Sequence, residues 1–285
     1  MTIATAPLTA IPRCWRMRFV AQQPQPTEQV VGMFTVTEPR WAVLESVTLD
    51  TLLSSADMDQ DTVWCVHLPG GAASSPWLER LEHWLMLPTA AATPAVVELT
   101  APQGRLRWRL DRAVWADTVA SMDDRWLTAV AEVAFYEGAL RQLEQALDAD
   151  WPSVTADIPL THQVNAAALR RWPQVNALTE RMTLRQMRLT DLRHALLHAP
   201  AAGSATARQL VSELRRRLDM PARLEALEVR LELAMDTYEL ANDRLSEYRY
   251  FRVECVVEIG VAILLLIEVV LMLWEIHLTY AFYGG

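Results

Sequence analysis

The run from Cys255 to Trp274, CVVEIGVAILLLIEVVLMLW, constrains this chain more than any other segment. Read as a helix it would extend roughly 30 Å, one hydrocarbon core of a bilayer. Arg244, Arg249 and Arg252 precede it, and no Lys or Arg follows. The positive-inside rule then keeps the large N-terminal part in the cytoplasm while the last residues cross. Tyr248, Tyr250 and Phe251 suit one interface, and Trp274, Tyr280, Phe282 and Tyr283 suit the other. A buried core helix is the alternative, disfavoured by the charge asymmetry and the terminal position.

Two acids, Glu258 and Glu268, stand inside the run, and Glu254 and Glu275 flank it. At 3.6 residues per turn all four fall within a sector of about 100°, so they share a face. A carboxylate at that depth costs several kcal/mol unless protonated or paired, so the face should meet protein. Interhelical hydrogen bonding in an oligomer is the plain expectation. A proton or cation path is the sharper one, although a single pass supplies no second helix to line it.

The apolar run extends a heptad pattern. After Pro221, apolar residues recur at Leu224, Leu227, Leu231, Ala234, Tyr238, Ala241, Leu245 and Tyr248. The register passes through Arg252 into Cys255, Ile259, Ala262, Leu266, Val269, Leu273 and Ile276, which predicts one long helix entering the membrane unbroken. An earlier helix over 173–198 repeats the pattern at Val175, Leu178, Met182, Leu189, Leu192 and Leu196, with Arg185 at its missing position. Ala199–Ser204 is the expected turn of an antiparallel hairpin. Packing within the chain explains one stripe per helix, and self-association into a stalk explains the rest.

The N-terminal half alternates strands and helices. Expected strands are Cys14–Ala21, Gln29–Thr37, Thr62–Leu68, Ala95–Thr100 and Arg105–Leu110, with a helix over Pro76–Leu87 capped by Ser75. From Ala120–Leu147 onward the pattern is helical. The fold class is therefore α+β: a mixed α/β head over 13–117, a helical domain over 118–252, a transmembrane helix over 253–277 and a short tail over 278–285.

Composition removes several function classes. All 26 basic residues are arginine, which excludes Schiff-base lysine chemistry and a Walker-type phosphate loop. Cys14, Cys65 and Cys255 lie far apart, so neither a disulfide framework nor a zinc site is expected. Met1–Pro12 lacks the basic start and apolar run of a secretory signal.

Few constellations carry chemistry. Gly70-Gly71 lacks the remainder of either phosphate-binding motif and reads as a turn. His194 and His198 are one helical turn apart but have no third ligand, so no metal is expected. Arg105, Arg107 and Arg109 alternate with Leu106, Trp108 and Leu110 and should share one sheet face. That face is either solvated or a contact for an anionic partner such as an RNA backbone. Arg215-Arg216-Arg217 reads as a solvated helix flank. No catalytic residue, cofactor or small-molecule substrate is identified.

The tail RLEALEVRLELAMDTYELANDRL followed by VEIGVAILLLIEVV resembles the required-for-meiotic-nuclear-division family, also called the sporulation-protein Rmd or YagE-like group. That family's span carries two acids ten residues apart, as Glu258 and Glu268 are here, and AEVAFYEGAL (Ala131–Leu140) matches a second family segment at Tyr136 and Glu137. The approach Leu127–Glu132 and the segment Ala199–Gln209 depart from the family pattern. The resemblance implies a membrane-anchored, non-enzymatic protein, and its eukaryotic members suggest support of translation near the ribosome. A mitochondrial inner membrane would be the site in a eukaryote, a bacterial inner membrane otherwise.

Two functional expectations compete. One is a membrane-tethered, homo-oligomeric scaffold whose cytoplasmic head binds a partner, ribosome or RNA by resemblance. The other is an oligomeric ion channel or transporter, since an α/β head on a long membrane-entering helix resembles CorA-type magnesium channels. Those carry a second span and a Gly-Met-Asn loop, and the sequence shows neither; Glu258 and Glu268 would have to line the pore.

Overall fold

Alternating apolar and polar residues build β1 (Arg13–Val20), the third of seven strands in one sheet and the neighbour of its central strand. The structure is a computed structural model. It describes residues 11–54, 61–69, 76–87, 96–101, 104–109, 111–117, 125–162, 164–165, 167–198 and 204–283, with side chains except at 76, 78, 198 and 275–283. The other strands are β2 (Gln29–Thr35), β3 (Pro39–Val47), β4 (Thr62–Leu68), β5 (Val97–Ala101), β6 (Gly104–Arg109) and β7 (Arg112–Asp117). Their spatial order is β2-β3-β1-β4-β7-β6-β5. Every pairing is antiparallel except β4 with β7. A parallel pair needs a crossover, and α2 (Pro76–Met86) with the β5–β6 hairpin supplies it.

Each sheet face has its own cover. On one face Cys14, Trp64, Val66, Leu68 and Val114 meet Leu52 of α1 (Leu49–Ser54) and Leu81, Trp84 and Leu85 of α2. On the other, Trp15 and Trp115 meet Trp126, and Phe19 and Phe34 meet Phe135, from α3 (Arg125–Asp157). Burying each such aromatic contributes about 1.5–3 kcal/mol. Two strands escape the sequence reading. β3 opens on a proline and carries Glu45 and Ser46 near its end, and β7 is buried on both faces and so lacks alternation. Arg105–Leu110 is accordingly not the last strand.

The helical half contains α4 (Trp172–His198), α5 (Ala205–Arg217) and α6 (Met220–Tyr283). The expected two-helix hairpin is thus interrupted by α5, which starts where the Ser204 hydroxyl accepts from the Ala207 N–H at 3.1 Å. Residues 199–203 of the expected turn lie outside the described residues. Between α5 and α6, Asp219 takes a positive φ of 54°. This left-handed turn ends one helix and lets the next begin, and a short polar side chain tolerates it best after glycine.

The chain divides into two compact units, 1–147 with 185–230 and 148–184 with 231–285. The helical segment 118–252 is therefore shared between units instead of forming its own domain. The reason is helix length: α3, α4 and α6 each serve the sheet unit with one part and the second unit with the other. In the second unit α4 and α6 run antiparallel, since Asn242 donates to the Thr179 hydroxyl at 3.1 Å and Arg249 stacks on Trp172 at 4.6 Å. The stripes named above are buried at Val175, Leu178, Met182, Leu231, Ala234, Tyr238, Ala241 and Leu245.

Two glycines separate steric need from helix propensity. A Cβ at Gly104 would lie 2.5 Å from the Ala116 carbonyl oxygen and 2.7 Å from the Trp115 ring, whereas at Gly138, inside α3, it would meet nothing within 4 Å. Gly104→Ala should lower stability by about 1–3 kcal/mol. Gly138→Ala should raise it by about 1 kcal/mol, because an alanine inside a helix loses less backbone freedom on folding. Denaturant melts of the two variants check both signs.

Candidate functional site

The apolar end of α6 is bare. Its most apolar 18-residue window has a mean hydropathy of 2.8, and none of it is buried. A core helix of a soluble protein would be covered, so this is a helix long and apolar enough to cross a membrane. Glu254, Glu258 and Glu268 are exposed on it. Glu254 follows Leu245 by nine residues, about two and a half turns, which puts it on the side opposite the buried stripe. Glu258 and Glu268 lie within about 40° of Glu254. Glu275 belongs to the same helix. The acids thus face away from the partners that α6 has in its own bundle.

Arg105, Arg107 and Arg109 do share a sheet face, and it is the face under α2. Arg105 ion-pairs with Glu98, Arg107 with Glu82 of α2 and, at 3.6 Å, with Glu98. Arg109 is buried and donates to the backbone carbonyls of Leu85 at 2.5 Å and Leu87 at 3.1 Å. Those carbonyls sit at the C-terminal end of α2, where a cation is favoured. The neighbouring Arg112 donates to the Trp84 carbonyl and lies over its ring at 5.1 Å. Arg107, Arg109 and Arg112 therefore hold α2 on the sheet, while Arg105 pairs with Glu98 within the β5–β6 hairpin and is the exposed one of the four.

The buried Glu137 is the centre of a partly buried charge array in the sheet unit. Arg223 of α6 donates to both oxygens of Glu137 at 2.9 Å and grips Glu144 through two further bonds of 2.9 and 2.6 Å. Arg141 adds a contact to Glu137 at 2.6 Å. One turn earlier Glu132 receives Arg215 of α5 at 2.8 Å. Arg215 also donates to the Leu196 carbonyl and lies over the Tyr136 ring. Burial and the Glu132 charge push the Tyr136 phenol above its ordinary value. Arg215 is thus a structural anchor, while Arg216 and Arg217 remain on the exposed flank with Glu213.

A second polar group escapes the sequence reading. His67 Nε2 lies 2.6 Å from Asp117 Oδ2, and the Trp115 indole donates to the other carboxylate oxygen. Both His67 and Asp117 are 3% exposed, and His67 is walled by Trp15 and Trp126. Fifty residues separate the pair, so only the β4–β7 pairing reveals it. The other ring nitrogen, Nδ1, is buried without a hydrogen-bond partner among the described residues, and no nucleophile touches it, so the pair is a core contact satisfied on the Nε2 side alone.

A cleft of about 550 Å³ opens in the sheet unit beside Phe19 and Phe135. Its charges are largely matched: Arg40 with Asp61 at 2.8 Å and Arg141 with Glu137. Burial raises the Asp111 carboxyl there, against the pull of Arg112. Among the described residues no group of three or more His, Cys, Asp or Glu side chains is arranged to hold a metal. His194 is exposed, the side chain of His198 lies outside the described residues, and so does Gly70-Gly71.

The sequence matches no protein-family model, and a search of curated proteins finds no match. The functional reading therefore rests on the molecule itself.

Arg223→Met should leave Glu137 buried with Arg141 alone and cost about 3 kcal/mol. Equilibrium unfolding of the full chain in detergent measures it, and Arg193→Met, whose pair with Glu228 is exposed, should cost under about 1 kcal/mol. Burial also pushes the Cys14 thiol up to about 11 and raises that of Cys65. Both should stay protonated and unreactive to a thiol reagent near pH 8 until the protein is unfolded, leaving Cys255 as the residue modified in the native state.

Proposed function

We propose that this protein is a single-pass, membrane-anchored, oligomeric scaffold without enzymatic activity, whose cytoplasmic head binds a partner. The observation that carries the reading is the phase of α6. One face of the helix is spent on the bundle, and the opposite face enters the apolar run bearing Glu258 and Glu268. A carboxyl group in hydrocarbon is stable when hydrogen-bonded to protein, and a second copy of α6 supplies both donor and acceptor. The arginines before the run and none after it support a head on the cytoplasmic side of a bacterial inner membrane. The resemblance to the required-for-meiotic-nuclear-division family supports a ribosomal or RNA partner. The head's own arginines at 105, 107 and 109 are engaged internally, so an anionic partner would have to meet Arg105 and the rim beyond it.

Intramembrane acids also favour one second reading, an oligomeric ion channel or transporter of CorA-like plan with Glu258 and Glu268 lining its axis. The two readings diverge in one experiment. Replacing both acids by leucine should weaken self-association in detergent by about fivefold per carboxyl hydrogen bond, measured by light scattering across a dilution series. Cation flux in liposomes should be at background for wild type and variant alike. Flux that Glu258→Ala with Glu268→Ala abolishes establishes the channel, and unchanged association of the leucine variant removes the oligomeric scaffold.

A further inference from the structure

The buried stripe of α6 changes character where the bundle ends. Leu245 is buried and Tyr248 half-buried, and the next position in that phase is the exposed Arg252. Arg249 projects to the same side and stacks on the ring of Trp172 at 4.6 Å. Trp172 is the first residue of α4, so this contact ties the connection between α3 and α4 to the level of Arg249. Arg252 and Arg249 precede Cys255 by three and six residues, about 4.5 and 9 Å along the helix. The headgroup layer outside the hydrocarbon core is about 5–7 Å thick, so the Arg252 backbone falls within it and that of Arg249 about 2 Å beyond it, within reach of the arginine side chain.

The same end of the second unit presents Arg170, exposed and without an ion pair among the described residues, as is Arg252. Arg171 beside it is taken by Asp157, which leaves no free carboxylate from that connection to neutralise its neighbours. Ile158, 47% exposed at the start of the connection, adds an apolar contact. Glu254 lies on the far side of α6. Stacking on Trp172 uses the flat face of the Arg249 guanidinium and leaves its edge N–H groups free, and that edge matches a phosphate oxygen pair.

We infer that Arg170, Arg249 and Arg252, set around Trp172, form a docking surface for anionic phospholipid headgroups, so that the α3–α4 connection is a second membrane contact beside the span. The inference rests on the reading of α6 as a membrane helix. It makes the bundle end a surface held against the bilayer and restrains the tilt of the helix that enters it.

The test uses the full chain in nanodiscs of phosphatidylcholine, alone or mixed with phosphatidylglycerol. A spin label is placed at Ala167→Cys, an exposed site on the connection, in a Cys255→Ser background; a second sample carries it at Gln22→Cys in the head. The label at 167 should be shielded from a water-soluble nickel chelate and reached by oxygen, more so with phosphatidylglycerol, and the label at 22 should be open to the chelate in both. Enrichment of phosphatidylglycerol among co-purified lipids should fall by about fivefold per arginine in Arg170→Gln with Arg252→Gln, which keeps the Arg249–Trp172 stack. Arg244→Gln, which removes an arginine already paired with Glu247, should leave it unchanged. A label at 167 as open to the chelate as that at 22, or undiminished enrichment in the double variant, overturns the inference with the membrane reading intact. Release of the wild-type chain from vesicles by alkaline carbonate overturns the membrane reading itself, and the inference with it.

Discussion

Arg223 holds two carboxylates of α3 at once, and the path of α6 through the sheet unit depends on it. Glu137 is nearly fully buried, and a lone carboxylate there would cost several kcal/mol. Arg223 removes that cost with a fork that meets Glu137 on one edge and Glu144 on the other. A lysine, being a point charge, could not bridge both. In a chain whose every basic residue is arginine, the same device recurs: Arg215 on Glu132, Arg109 on the α2 carbonyls, Arg171 on Asp157. Planar cations thus join the apolar stripes in fixing which helix face lies on which neighbour.

Within the second unit the phase of α6 decides which side chains are covered. A helix of 64 residues has one phase. Turning it so that Leu227, Leu231 and Tyr238 are buried leaves Glu254, Glu258 and Glu268 on the opposite side. The apolar run consequently leaves the bundle with its acids facing outward, where only lipid or another chain can meet them. This is why the proposed scaffold centres on self-association.

Much of this was legible in the chain itself. The heptad positions of α4 from Val175 to Leu192 and of α6 from Leu227 to Leu245 are found buried, because a long amphipathic helix needs no distant partner to announce its stripe; the same register from Arg252 to Leu273 is largely exposed. The α+β class followed from the succession of strands and helices along 13–117 and from the helical pattern from Ala120 onward. β3 and β7 were not legible, since a strand covered on both faces, or one that starts at proline and ends in polar residues, has no period to read. α5 was not separated as a helix of its own, because its 13 residues lie between the expected turn at 199–204 and the stripe read from Leu224 onward.

By itself the sequence determined an apolar helix long enough to cross a membrane, the phase of its acids, the heptad stripe up to Leu245 and the absence of lysine chemistry. These are local properties, set by residue spacing along one helix or by composition. Only the tertiary structure decided that the arginine strand lies under α2, that Glu137 is a buried anchor, that His67 meets Asp117 across fifty residues, and that Trp172 is brought to Arg249. Each of those depends on which elements become neighbours, and neighbours are chosen by packing and charge pairing across the whole chain, which no single stretch of sequence encodes.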